Sequence, residues 1–229
     1  MAKFTPGAVI SEIRGKISST VFSKNAAGPM IRNRTTPINP RSTKQTARRQ
    51  ALAALSAGWR SLTQTQRDGW NSLASSYPRT DSLGQTIFLT GAQLYILCNS
   101  NLDLIGQTDI ANAPTLPSFP VLATGAITVS AAAFTVAFTP DPVPADLELV
   151  IRASAPISAG KSFVGKSDFR FVESFAAADI SPADINTSYE AVFGSKSGQV
   201  GQKVFVEAFY VHVPSGIAGQ SVRASEIVA

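Results

Sequence analysis

KVFVEAFYVHV, residues 203–213, decides the reading of this chain. Phe205, Phe209, Val211 and Val213 fall on one parity, and Val204, Val206, Ala208 and Tyr210 on the other. Side chains of a strand alternate between its two faces, so this segment is apolar on both and predicts the centre of a sheet covered on both sides. Working outward, a period of two recurs in AITVS (126–130), AFTVAFT (133–139), LELVIRAS (147–154), FRFVESF (169–175), SYEAVFG (188–194) and QSVRASEIV (220–228). Seven short strands in roughly 110 residues, punctuated by Pro, Gly and Asp, predict an antiparallel β-sandwich over residues 121–229.

Upstream, the rhythm changes. QTDIANAPTLPSFP, residues 107–120, places Pro114, Pro117 and Pro120 within seven residues and predicts a linker. Before it, residues 42–106 read as helical. Three Ser/Thr-x-x-Gln patterns, Ser42 with Gln45, Thr63 with Gln66 and Thr90 with Gln93, each suit a capping box, where hydroxyl and carboxamide satisfy free N–H groups at a helix start. The first helix is expected from about Thr43 to Ala57, with Ala47, Ala51, Ala54 and Leu55 inward and Gly58 as its stop. A second, about Gln64 to Ser76, aligns Trp70, Leu73, Ala74 and Tyr77. A third, about Gly91 to Ile105, aligns Leu94, Leu97, Cys98, Leu102 and Ile105 before Gly106. Trp59, Leu62 and Trp70 are expected to anchor the hairpin of the first two helices. The fold class is therefore α+β.

Residues 1–41 read differently again. Pro6, Gly7, Gly15, Gly28, Pro29, Pro37 and Pro40 forbid a long helix. A short strand over Ile17–Phe22 and a turn at NAAGP are expected, followed by extended chain through MIRNRTTPINP. The segment carries Val9, Ile10, Ile13, Ile17, Val21, Phe22, Met30 and Ile31, yet an extended arm cannot bury them itself. Charge is also lopsided. Residues 1–80 hold thirteen Lys and Arg against Glu12 and Asp68, a balance of +11, and residues 81–229 hold seven against thirteen acids, a balance of −6. Such a split predicts that the first third meets an acidic partner.

Catalytic motifs are missing. His212 is the sole histidine and Cys98 the sole cysteine, which excludes a His/Cys zinc site and an intrachain disulfide within one chain. No G-x-S-x-G elbow, G-x-x-x-x-G-K-[ST] loop or G-x-G-x-x-G occurs, and Gly160-Lys161-Ser162 lacks the upstream glycine of a phosphate loop. No enzyme activity, cofactor or metal is expected. No run of about 18 apolar residues suits a membrane span, and MAKFTPGAVI lacks a signal-peptide core, so synthesis in a reducing cytoplasm is expected. Arg32, Arg34, Arg41, Lys44, Arg48 and Arg49 form a basic run able to meet phosphates without sequence preference. Interleaved aromatics, the stacking platform of single-strand binders, are absent from it.

The pattern GKISSTVFSKNAAGPMIRNRTTPINPRSTKQTARRQ, then W-R-S-L-T-x-x-Q-R-x-x-W-N at 59–71 and TGAQLYILCNSNLDLIG at 90–106, resembles a family of small proteins encoded in bacteriophage and prophage genomes. That resemblance implies a virion structural component, without catalytic residues. KVFVEAFYVHVPSGIAGQSVRASEIV is similar to the last two strands of a fibronectin type III or other immunoglobulin-like domain, although the tryptophan many of these carry in an early strand is missing. Together the resemblances imply an extended basic arm and a small helical section followed by an immunoglobulin-like β-sandwich. They imply residence in the virion as a capsid-associated minor or decoration protein in multiple copies. A tail or head-tail connector component and a genome-binding internal or packaging protein are the alternatives. The expected partners are capsid or tail subunits, with non-specific DNA contact as a further possibility and no membrane. The residues expected to make the contact are Ile17, Val21, Phe22, Ile31, Arg32, Arg34, Arg41, Arg48 and Arg49.

Overall fold

The computed structural model describes residues 2–3, 7, 12–25, 28–36, 38–80 and 86–229. Val9, Ile10 and the centre of the NAAGP turn lie outside the described residues. The chain divides into two compact units, Met1–Thr46 and Ala47–Ala229. The helical section, the expected linker and the β-rich section thus belong to a single unit.

The first unit is a small antiparallel sheet of strands β1 (Ala2–Lys3), β2 (Gly15–Ile17), β3 (Thr20–Asn25) and β4 (Gly28–Asn33), in the order β1-β4-β3-β2. The single strand expected over Ile17–Phe22 is broken by a two-residue turn at Ser18–Ser19, where Ser18 adopts φ 50°. Two-residue hairpin loops require positive φ at a central position, and a serine there gave the sequence no glycine signal. Much of the expected arm is therefore paired strand.

The second unit opens with helix α1 (Thr43–Ser61), which begins in the first unit, and continues with α2 (Gln64–Ser75), the small hairpin β5 (Pro78–Thr80) and β6 (Thr86–Phe88), and α3 (Gly91–Leu104). The capping boxes at Thr63/Gln66 and Thr90/Gln93 are complete, each hydroxyl accepting from the Gln N–H and each Gln side chain accepting from the cap N–H. At Ser42 the hydroxyl accepts from Gln45 N at 3.4 Å. Helix α1 runs through Gly58 instead of stopping there. A Cβ on Gly58 would lie 2.7 Å from the Tyr95 hydroxyl, so this glycine serves close packing. Ala47 and Ala54 are exposed rather than inward, and the buried stripe of α1 starts at Leu55. Methyl groups alone bury too little surface to hold the first three turns down.

Leu62, Trp70, Ala74, Leu94, Tyr95 and Cys98 form the helical core, with Trp59 packed against it. Trp70 is fully buried, meets Tyr95 edge to face at 5.5 Å, and donates its indole N–H to Ala111 O at 2.9 Å. That last contact revises the reading of residues 107–120, which are docked rather than free. Buried Asn99 accepts from Ile110 N at 2.8 Å and donates to Ile110 O at 3.2 Å. An extended proline-rich chain leaves backbone groups unpaired, and buried polar side chains need partners; each satisfies the other.

The β-rich section contains β7 (Ala123–Val129), β8 (Phe134–Thr139), β9 (Leu147–Ala153), β10 (Arg170–Phe175), β11 (Ala183–Asp184), helix α4 (Asn186–Phe193), β12 (Lys203–His212) and β13 (Val222–Ile227). Two antiparallel sheets, β10-β9-β12-β13 and β11-β8-β7, share one core that includes Phe134, Val136, Leu149, Ile151, Val204, Val206, Ala208 and Tyr210. On the other face of β12, Phe209 and Val211 pack with Val150, Leu102 and Ile105, so α3 covers the sheet. The strand expected over 188–194 is helix α4. Tyr189, Val192 and Phe193 follow helical spacing, Asp184 Oδ1 accepts from Asn186 N at 2.9 Å at its start, and Gly194 ends it. The two-residue strand β11 pairs with β8.

The β12–β13 loop locks helices to sheet. Ile217 inserts into the helical core, and Asn101 Nδ2 donates to Gly216 O at 2.8 Å. Gly216 has φ +66°, and a Cβ there would lie 2.2 Å from the Cys98 carbonyl oxygen. Gly216→Ala is expected to cost more than about 2 kcal/mol, through strain and overpacking together. Thermal unfolding checks this against Gly198→Ala, whose Cβ meets nothing within 4 Å and which should melt like the parent.

Candidate assembly interface

Strand register sorts the expected contact residues of the first unit by face. Phe22 pairs with Ile31 and Ile17 with Thr20, and Ile17, Phe22 and Ile31 share one face because cross-strand partners do. Val21 lies on the opposite face, between Lys16 on β2 and Arg32 on β4, in one row across three strands. Ile17, Phe22 and Ile31 thus share their face with Lys24, whereas Lys16 and Arg32 flank Val21 on the other. Ile17 is 66% exposed and Ile38 91% exposed, while Val21, Phe22 and Ile31 are half-buried. Among the described residues of this unit, none is buried.

Its one acid, Glu12, is already engaged: Arg14 reaches it at 2.8 Å and Lys24 at 3.5 Å. The Arg14 hydrogen bond holds its carboxyl below the usual carboxylate range, with Lys24 helping. Arg32, Arg34, Arg41 and Arg48 are exposed, and none has an ion-pair partner among the described residues. Arg41 sits just before α1 with φ 47°. Helix α1 has no acid in its first turn, where Lys44 stands instead. Cations at a helix N-terminus oppose the dipole, so Lys44 is there at some cost to the helix.

Arg48 and Arg49 lie further along α1, exposed. The positive charge of Arg48 acts on Arg152 of β9, whose guanidinium burial already holds below its ordinary pKa while Glu207 pulls the other way. Sequence reasoning missed this second basic group. Arg152, Glu207 and Arg223 form a row across β9, β12 and β13. Buried Glu207 accepts from Arg223 Nη2 at 2.8 Å and lies 3.9 Å from Arg152 Nη1. Arg152 also stacks over Phe209, 4.7 Å from the ring centre. Arg79, Arg152, Lys166, Tyr77 and Phe209 line an open cavity of about 260 Å³. Nothing in the sequence announces the cluster, because it depends on strand register.

His212 is half-buried, its Nδ1 2.7 Å from Ser215 Oγ, and burial lowers its pKa. Cys98 is buried within the helical core, which pushes its thiol up to about 12. A thiol so placed is a packing group, since the thiolate is the reactive form. Among the described residues, no group of three or more His, Cys, Asp and Glu has the geometry to hold a metal, and no helix is long and apolar enough to cross a membrane. No family model matches the chain, and searches of curated proteins and of solved structures return no significant match.

The exposed cations should be dispensable for the chain's own fold. Lys44→Glu places an acid in the first turn of α1, worth roughly 0.3–1 kcal/mol at low salt, and Arg48→Glu removes a repulsion on Arg152. The double variant is expected to melt no lower than the parent in low-salt thermal scans. A clear drop would mean that these cations serve the fold.

Proposed function

We propose that the chain is a non-enzymatic structural component of a bacteriophage particle, a capsid-associated minor or decoration protein that docks through its first unit and the start of α1. One observation carries this reading. The first unit gathers Ile17, Phe22 and Ile31 on one face of its sheet and Lys16 and Arg32 on the other, and no described residue in it is buried. Burying such a face against a neighbour would contribute roughly 25 cal/mol per Å² of apolar area. Arg32, Arg34, Arg41, Arg48 and Arg49 would meet acidic groups of capsid subunits, where charge complementarity sets register and rate of association.

The second unit would project from the particle or contact the shell through an immunoglobulin-like sandwich of the fibronectin type III kind. Connectivity supports this finer reading. Counting β7 to β13 as seven strands, the first, second and fifth share one sheet and the third, fourth, sixth and seventh the other. The fourth pairs with the third rather than with the fifth, unlike the order of an immunoglobulin constant domain.

Particles from cells expressing a tagged chain with its neighbouring phage genes provide the test. After gradient purification and nuclease treatment, the chain is expected at fixed stoichiometry on the capsid and to stay through a high-salt wash. Density on the tail or connector would move the assignment there. Release by nuclease, or DNA affinity falling steeply with salt, would favour the genome-binding alternative and overturn the capsid reading.

A further inference from the structure

Lys196 has a fully buried side chain. Its Nζ donates to Asn186 Oδ1 and, at 3.0 Å, to Glu190 Oε1, and it lies over the Tyr189 ring, 5.6 Å from the centroid. Asn186 and Glu190 stand one turn apart on α4, at i and i+4, and so on the same face. The chain leaves the helix at Gly194 and turns back, and the Lys196 carbonyl accepts from Gln199 N at 2.9 Å. An amine, a primary carboxamide and a carboxylate thus converge, with the amine fully withdrawn from water.

We propose that Lys196 and Asn186 join in an intramolecular isopeptide bond, with Glu190 carrying the protons. Oδ1 is bonded directly to Cγ, so a nitrogen hydrogen-bonded to Oδ1 has only a short shift to make to reach the carbon it must attack. Near-attack placement of this kind replaces a bimolecular encounter by an intramolecular one. Glu190 takes a proton from the Lys196 ammonium, and the free amine adds to Cγ of Asn186. Glu190 passes that proton to the amide nitrogen of the tetrahedral centre and takes up the second proton from the Lys196 nitrogen; ammonia departs and carries this last proton to solvent as ammonium. One C–N bond forms and one breaks, the carboxylate is regenerated, and no oxidant, reductant or cofactor enters. The Glu190 side chain is 35% exposed, so ammonia and protons have a route to solvent.

Burial and partner chemistry together favour this over a plain ion pair. An ammonium withdrawn from water needs full compensation, and a lysine serving only Glu190 would keep its head group at the surface, where long side chains normally hold it. The bond would pin the start of α4 to the segment entering β12, the strand on which both layers pack.

Mass spectrometry of the purified full chain tests the proposal. Tryptic digestion is expected to skip Lys196 and give a peptide spanning 171–203 that is lighter by one ammonia, with fragment ions placing the loss across Asn186 and Lys196. Glu190→Gln, shown folded by its circular dichroism, should restore the full mass and cleavage after Lys196. Full mass with efficient cleavage after Lys196 in the parent protein would overturn the bond. Ammonia loss undiminished in Glu190→Gln would overturn the role of Glu190.

Discussion

Strand β12 must be covered on both faces, and the architecture of the second unit follows from that requirement. Val204, Val206, Ala208 and Tyr210 on one side, and Phe209 and Val211 on the other, are all buried. A single sheet facing water cannot satisfy such a strand. The second sheet supplies one cover, and α3, with Leu102 and Ile105, supplies the other. The β12–β13 loop then completes the arrangement by sending Ile217 into the helical core. Helices and sheets of residues 47–229 are therefore packed into one compact unit.

The first unit obeys the opposite logic. Its strands satisfy backbone hydrogen bonds by pairing with each other, yet none of its described residues is buried. A sheet this small is marginal in water without a layer against one face. Exposed Ile17 and Ile38, together with Arg32, Arg34 and Arg41, which have no ion-pair partner among the described residues, fit a segment whose remaining contacts come from outside the chain. The acidic bias of residues 81–229 leaves the two ends of the sequence electrostatically distinct, which suits a protein that presents one end to an acidic neighbour.

Local chemistry was the most legible part of the sequence. Hydroxyl and carboxamide at cap spacing announced α2 and α3, and the double parity of 203–213 announced a central strand. Misreadings arose where a residue has two uses. Gly58 looked like a helix stop and is a packing position against Tyr95. SYEAVFG satisfies a period of two and of 3.6 at once, and Asp184 and Gly194 decide for the helix. Prolines at 114–120 suggested freedom, but Trp70 and Asn99 hold the chain just ahead of them. The basic run was visible as composition, whereas which face of the first sheet each side chain takes depends on register. Arg152, Glu207, Arg223 and the Lys196 cluster were invisible for the same reason, since they meet only after the strands pair and α4 forms.

Hydrogen–deuterium exchange across residues 12–46 tests the central claim most directly, comparing the free protein with the protein on its particle. In the free protein these amides should exchange far faster than those of β9 and β12, and on the particle they should become protected. Protection in the free monomer equal to that of β12 would show that the first unit is stable by itself and would contradict a docking role.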